Sequence, residues 1–184
     1  ITLDGNGKTI IYTGSDRAID IPANENAKVN VTIENLTVDC TASYCQRGIN
    51  YNDDGALTLN KVTVKGTNVT YALNLPGSSD NCVVTITDSN ISGNIALNVW
   101  GENMTITATD SDFISVDNNT VEGYAAVKLN NDGATSAEGT KINICGGEIN
   151  VTGSASEDTE AASNATETGE IIICDSTNLN GGEV

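Results

Sequence analysis

The chain has 184 residues, 38% apolar but only 4% aromatic, with 18 Gly and abundant Asn and Thr where a helical protein would carry leucine-rich stretches. That mix suits short strands and polar turns. Eight Lys and Arg against 25 Asp and Glu, with no His, give a formal charge of −17, which argues against nucleic acid and anionic membranes as partners, since phosphate contact needs clustered cations. No apolar run reaches the roughly 18 residues that would read as a membrane span.

Ile1 stands inside a strand-like phrase, so the chain reads as a piece of a longer, secreted protein. Two phrases then alternate to the end. The first is "ITLDGNG" (1–7), "VTIENLTV" (31–38), "LTLNKVTV" (57–64), "VTITDSNIS" (84–92), "ITATDSDFIS" (106–115), "INICGGEINV" (142–151) and "IIICDSTNLN" (171–180). The second is "AIDI" (18–21), "GINY" (48–51), "ALNL" (72–75), "ALNV" (96–99) and "AVKL" (126–129). Apolar and polar residues alternate within each phrase, the period of a half-buried strand. Equivalent positions of the first phrase (Leu3, Ile33, Leu59, Ile86, Ala108, Ile144, Ile173) recur at steps of 22 to 36 residues.

A unit this short cannot bury its own apolar face, but copies stacked on one another can. The expectation is an all-β, right-handed parallel β-helix of about seven coils occupying residues 1–184 as one domain, its hand following the general rule for parallel connections. Ile19, Ile49, Leu73, Leu97 and Val127 should fill the interior, and Asp20, Asn50, Asn74, Asn98 and Lys128 should form an outward ladder with amides bonded from coil to coil. Ala18, Gly48, Ala72, Ala96 and Ala126 should sit at a tight corner. The acidic, low-complexity stretch 152–170 is expected to be a mobile excursion that holds a faded copy of the second phrase around Ala161–Ala165.

Three sets of residues have chemical potential. Arg17 and Arg47, the two arginines, precede the second phrase in successive coils and could hold an anion such as a sugar carboxylate; the structural alternative is an ion-pair ladder at a corner. Asp88, Asp110 and Asp112 fall at one turn of consecutive coils, where Asx residues are common for reasons of backbone geometry alone. Trp100 should point outward beside Gly101 and Glu102, with Tyr124 as a second ring for sugar contact and Asp20, Asn50, Asn74 and Asn98 as polar partners. No cofactor is expected. Ca²⁺ stays open, although no dense carboxylate cluster accompanies the arginines. Cys145 and Cys174 occupy equivalent positions, Cys40 and Cys45 could close the loop "CTASYC", and Cys82 is left over. Eight N-x-S/T sequons are present, relevant only in a glycosylating host.

The phrases "ITLDGNGKTI", "VTIENLTVDC" and "KINICGGEINVTG" resemble the repeats of pectate-lyase-like right-handed β-helix proteins, in particular adhesin-like surface proteins of gut bacteria and archaea. The resemblance covers the whole chain and implies an extracellular or cell-surface module for adhesion, with a glycan or another surface polymer as partner, or a stiff spacer. It carries over no catalytic residue. A polysaccharide-degrading enzyme fragment and a structural, glycosylated coat or filament protein are the other two readings.

Overall fold

The computed structural model describes residues 1–66, 69–116, 125–131, 133, 136–152 and 160–180. These residues form seventeen strands and no helix. In chain order the strands are β1 (Thr2–Ile11), β2 (Arg17–Ile21), β3 (Val31–Asp39), β4 (Cys45–Tyr51), β5 (Ala56–Lys65) and β6 (Val69–Leu75). There follow β7 (Val83–Thr87), β8 (Asn90–Gly93), β9 (Ile95–Val99), β10 (Thr105–Thr109), β11 (Asp112–Ser115) and β12 (Ala125–Leu129). The last are β13 (Lys141–Cys145), β14 (Glu148–Val151), β15 (Glu160–Asn164), β16 (Glu170–Ile173) and β17 (Asn178–Asn180).

Every strand-to-strand ladder is parallel, and the two phrases separate into two sheets. The first phrase supplies an eleven-stranded sheet, and the second supplies a six-stranded sheet ordered β15-β12-β9-β6-β4-β2. The register follows the sequence repeat: Leu3, Ile33, Leu59, Ile86, Ala108, Ile144 and Ile173 form one continuous column of paired residues. In the second sheet Ile19, Ile49, Leu73, Leu97 and Val127 do the same. Between the sheets lies one apolar core in which Leu59, Leu73, Ile86, Leu97 and Phe113 are fully buried. Parallel sheets buried on this scale are all-β architecture compatible with a parallel solenoid.

The first phrase departs from the single strand expected of it. From the fourth copy onward it breaks into two strands, β7 with β8, β10 with β11, β13 with β14 and β16 with β17. Three of these breaks fall on left-handed residues, Asp88 (φ 48), Asp110 (φ 48) and Gly146 (φ 75), and Asn35 (φ 51) and Lys61 (φ 54) hold the same place inside the unbroken β3 and β5. Asn, Asp and Gly tolerate this conformation at low cost, so their recurrence bends the sheet at one place in successive coils. Backbone groups freed at the bend are taken up by buried hydroxyls: Ser89 Oγ accepts from Val62 N (3.1 Å), and Ser111 Oγ accepts from Ser89 N (3.2 Å). A buried amide without such a partner would cost free energy.

The tight corner before the second phrase is also present. A Cβ at Gly48 would lie 2.6 Å from Val64 Cγ1 and 2.7 Å from the Ala72 carbonyl oxygen, so only glycine fits there. Within the acidic stretch, residues 160–164 form β15, paired in parallel with β12, so part of the expected excursion is strand. Residues 153–159 lie outside the described residues, as do Tyr124 and the sequon residues Asn68 and Asn118.

Candidate functional site

The polar column of the second sheet is a hydrogen-bonded wire. Asn130 Nδ2 donates to Asn98 Oδ1 (2.6 Å), Asn98 Nδ2 to Asn74 Oδ1 (2.7 Å), Asn74 Nδ2 to Asn50 Oδ1 (2.7 Å), and Asn50 Nδ2 to Asp20 Oδ1 (2.7 Å). All donors point the same way, so the amide dipoles align and end on a carboxylate, an arrangement in which each bond polarises the next. Two expectations are corrected here. The ladder does not face solvent: Asn50, Asn74 and Asn98 are 3%, 1% and 0% exposed, because both faces are covered in the middle of this sheet, where Ile49–Tyr51, Leu73–Leu75 and the whole of β9 are buried. Its last rung is Asn130, although Lys128 holds the position in register with Asn98. Burial holds the Lys128 pKa below its usual value, with Glu160 acting against that. An amide can enter the stack without carrying a charge into it. Of the ladder only Asp20, at its open end, is exposed.

Arg17 and Arg47 are paired in register between β2 and β4. Arg17 Nη1 lies 3.4 Å from Asp20 Oδ2 and its Nε 3.8 Å from Asp16 Oδ1, while the Arg47 guanidinium carbon sits 6.0 Å from the centre of the Tyr71 ring. The Nε atoms of both are buried with no hydrogen-bond partner. Asp20 is thus held by an amide on one oxygen and a guanidinium on the other. The pair places two cationic groups one coil apart, a separation that suits one carboxylate, but the acids of the same corner already attend Arg17.

Trp100 follows β9 and is half-buried; its backbone N–H donates to the Leu75 carbonyl (2.8 Å). On turns of the same side, Ala23–Lys28, Asp53, Asp54, Ser78, Asp80 and Asn81 line an open cleft of about 530 Å³. Asp53, which sequence reasoning missed, is the buried carboxylate of this cleft. Its Oδ1 accepts from Val29 N (2.7 Å) and Gly55 N (2.9 Å), and its Oδ2 from Asn24 N (3.0 Å). The "DDG" before β5 was the available signal, since an Asp two residues ahead of a Gly commonly caps a turn. Asp80 Oδ1 accepts from Glu102 N (2.7 Å), and Lys28 Nζ pairs with Asp54 (3.4 Å). These carboxylates fasten loops. Among the described residues no group of three or more His, Cys, Asp or Glu is arranged to hold a metal ion.

Asp88 and Asp110 occupy the left-handed bend, and Asp112 Oδ2 accepts from Asn90 Nδ2 (3.1 Å). Their recurrence follows from backbone geometry.

The cysteines divide differently from expectation. Cys145 and Cys174 are bridged, with Cα atoms 4.9 Å apart, and such a bond belongs to an oxidising compartment. Cys40 and Cys45 are not bridged; both are buried free thiols, as is Cys82. The Cys45 thiol donates to the Arg47 (3.1 Å) and Asp16 (3.5 Å) carbonyls, and the two neighbouring thiols shift one another, Cys40 lowering the pKa of Cys45 and Cys45 raising that of Cys40. Their loop needs no covalent closure, because Cys40 N already donates to the Lys65 carbonyl (2.8 Å) and Cys45 pairs with Val69. Burial pushes the Cys82 thiol up to about 12. No protein-family model matches the chain, and no curated protein or solved structure matches it.

Proposed function

We propose that the chain is a non-enzymatic module of an extracellular or cell-surface protein, a right-handed parallel β-helix of about seven coils related to the pectate-lyase-like and adhesin-like repeats, and that it serves as a stiff spacer. The observation that carries this reading is the unbroken wire Asp20–Asn50–Asn74–Asn98–Asn130. A buried polar stack satisfied at every interior rung fixes the register of successive coils and resists shear between them. The carboxylates and hydroxyls around it are likewise spent on turns and bends.

Glycan adhesion is the second reading. With the ladder enclosed, it rests on Trp100 and the open polar cleft, and the acidic surface favours a neutral or cationic glycan over an anionic one. Screening on a broad glycan array, together with an assay for cleavage of uronate-containing polymers, tests both. The spacer reading expects no hits and no cleavage. A glycan hit whose affinity falls about tenfold in Trp100→Ala, as for a buried aromatic anchor, would move the function to adhesion. Cleavage of a uronate polymer would overturn both in favour of an enzyme using the Arg17 and Arg47 face.

A further inference from the structure

The outer face of the larger sheet carries no charge where β5, β7 and β10 lie side by side. β5 turns Ala56, Thr58 and Asn60 outward around the buried Leu57 and Leu59. β7 does the same with Val83, Thr85 and Thr87, and β10 with Thr105, Thr107 and Thr109. The ladders pair these three sets residue for residue, with no shift of register. They make a grid with about 4.8 Å between strands and about 6.6 Å between outward residues of one strand. Its middle column continues from Thr58 through Thr32 to Thr2. In a chain with a formal charge of −17, ionisable side chains return only on the flanking strands, at Glu34 beside Asn60 and Lys141 beside Thr105.

The hydroxyls of this grid are unspent. Elsewhere Ser89, Ser111 and Thr140 donate theirs to backbone carbonyls. None of the six threonine hydroxyls of the grid has a hydrogen-bond partner among the described residues. Strand propensity would be met as well by Val or Ile, and threonines paired across a ladder can bond to each other; these do not. Each hydroxyl is left as a donor and acceptor for something outside the chain. The β-branched side chain is stiff at χ1, so the array is set before anything docks and little freedom is lost on binding.

The chemistry of the face selects its occupant. A bare sheet face has no walls to enclose a single sugar, as a small-ligand site would, so it binds by summing weak contacts to a partner that itself repeats. Charge complementarity selects an uncharged partner, because a charged one would lose hydration here without gaining a counter-charge. Hydroxyls interleaved with the methyls of Thr, Ala56 and Val83 match a surface of hydroxyls beside apolar C–H groups. Pyranose ribbons present both; ice presents no apolar surface to those methyls. We propose that the outer face of β5, β7 and β10 binds a packed, uncharged polysaccharide whose chains lie flat on the threonine grid. This rests on the adhesion reading and carries it from Trp100 and the cleft to a sheet face.

Retention of the 184-residue chain on microcrystalline cellulose and on chitin, read as depletion from the supernatant, tests the proposal. The parent and Trp100→Ala should be retained equally on one of these solids, and soluble oligosaccharides of the same sugar should compete poorly. Thr85→Val with Thr107→Val keeps shape and strand propensity and removes two hydroxyls, and should weaken retention roughly tenfold. Thr85→Lys with Thr107→Lys should abolish it, and circular dichroism and the urea midpoint show whether each variant keeps the parent fold. No retention on either solid would overturn the proposal, as would retention that the folded valine variant leaves unchanged. Retention lost in Trp100→Ala but kept in the threonine variants would also overturn it while leaving the adhesion reading in place. Shaping of ice crystals without retention on either polymer would assign the grid to ice instead.

Discussion

Removing the middle rung of the amide wire, Asn74→Ala, should be among the costliest polar substitutions in the chain. Asn74 is 1% exposed and takes part in two hydrogen bonds of 2.7 Å, donating to Asn50 and accepting from Asn98. Alanine strands two groups at once: the Nδ2 of Asn98 loses its acceptor, and the Oδ1 of Asn50 loses its donor. Each orphan in a buried site costs about 1–3 kcal/mol, so the sum is about 2–6 kcal/mol, a large part of a typical domain stability of about 5–15 kcal/mol. Asn74→Asp should be no better, since a carboxylate can accept from Asn98 but presents a lone pair to Asn50 and buries a charge. Asp20→Asn, at the exposed end, should cost much less, because an amide oxygen still accepts from Asn50. Urea denaturation followed by far-UV circular dichroism reads these differences directly. If Asn74→Ala lay within about 0.5 kcal/mol of the parent, the ordinary range for an inconsequential surface change, the wire would not be a structural element.

Leu97→Asp places an unpaired carboxylate in the core at a position with no exposure, and should lower stability by several kcal/mol; an unchanged melting temperature would refute the register. Reducing the Cys145–Cys174 bridge, which spans 29 residues, should cost about 3–4 kcal/mol by loop entropy, concentrated in the C-terminal coils. Thiol titration of the oxidised chain should find three free cysteines that react only on unfolding, and a bridge between Cys40 and Cys45 in mass mapping would contradict this. Glu138 gathers Glu167 N, Thr168 N and the Thr168 hydroxyl, which hold its pKa at about 2 against an ordinary 4.5. A depressed folded-state pKa means this clasp contributes fully above about pH 4.5 and is lost as the pH falls toward 2. Hydrogen exchange at the 167–168 amides should loosen over that window in the parent and show no such dependence in Glu138→Gln; parallel behaviour of the two would refute the role.

Much of the candidate site was legible because it consists of repeats. Asn50, Asn74 and Asn98 were recognisable as a stack from their equal place in the second phrase, and Cys145 and Cys174 as neighbours from theirs. Asp53 was not, since its role depends on three amides brought in by the 24–29 turn and by Gly55. The exchange of Lys128 for Asn130 was also hidden, since the periodic position and the hydrogen-bonding position differ by two residues only at that coil.

The amino-acid sequence determined the strand phrases, their alternation and their parallel register, because period-two patterning and a repeat too short to bury itself leave one stacked solution. Only the tertiary structure decided which polar residues face water. Alternation assigns side chains to one face of a strand or the other, but exposure depends on what lies over that face. At β9 both faces are covered, and a ladder that reads as surface became part of the interior. The same holds for the thiols: spacing makes Cys40 and Cys45 candidates for a bridge, whereas in the structure both are buried free thiols.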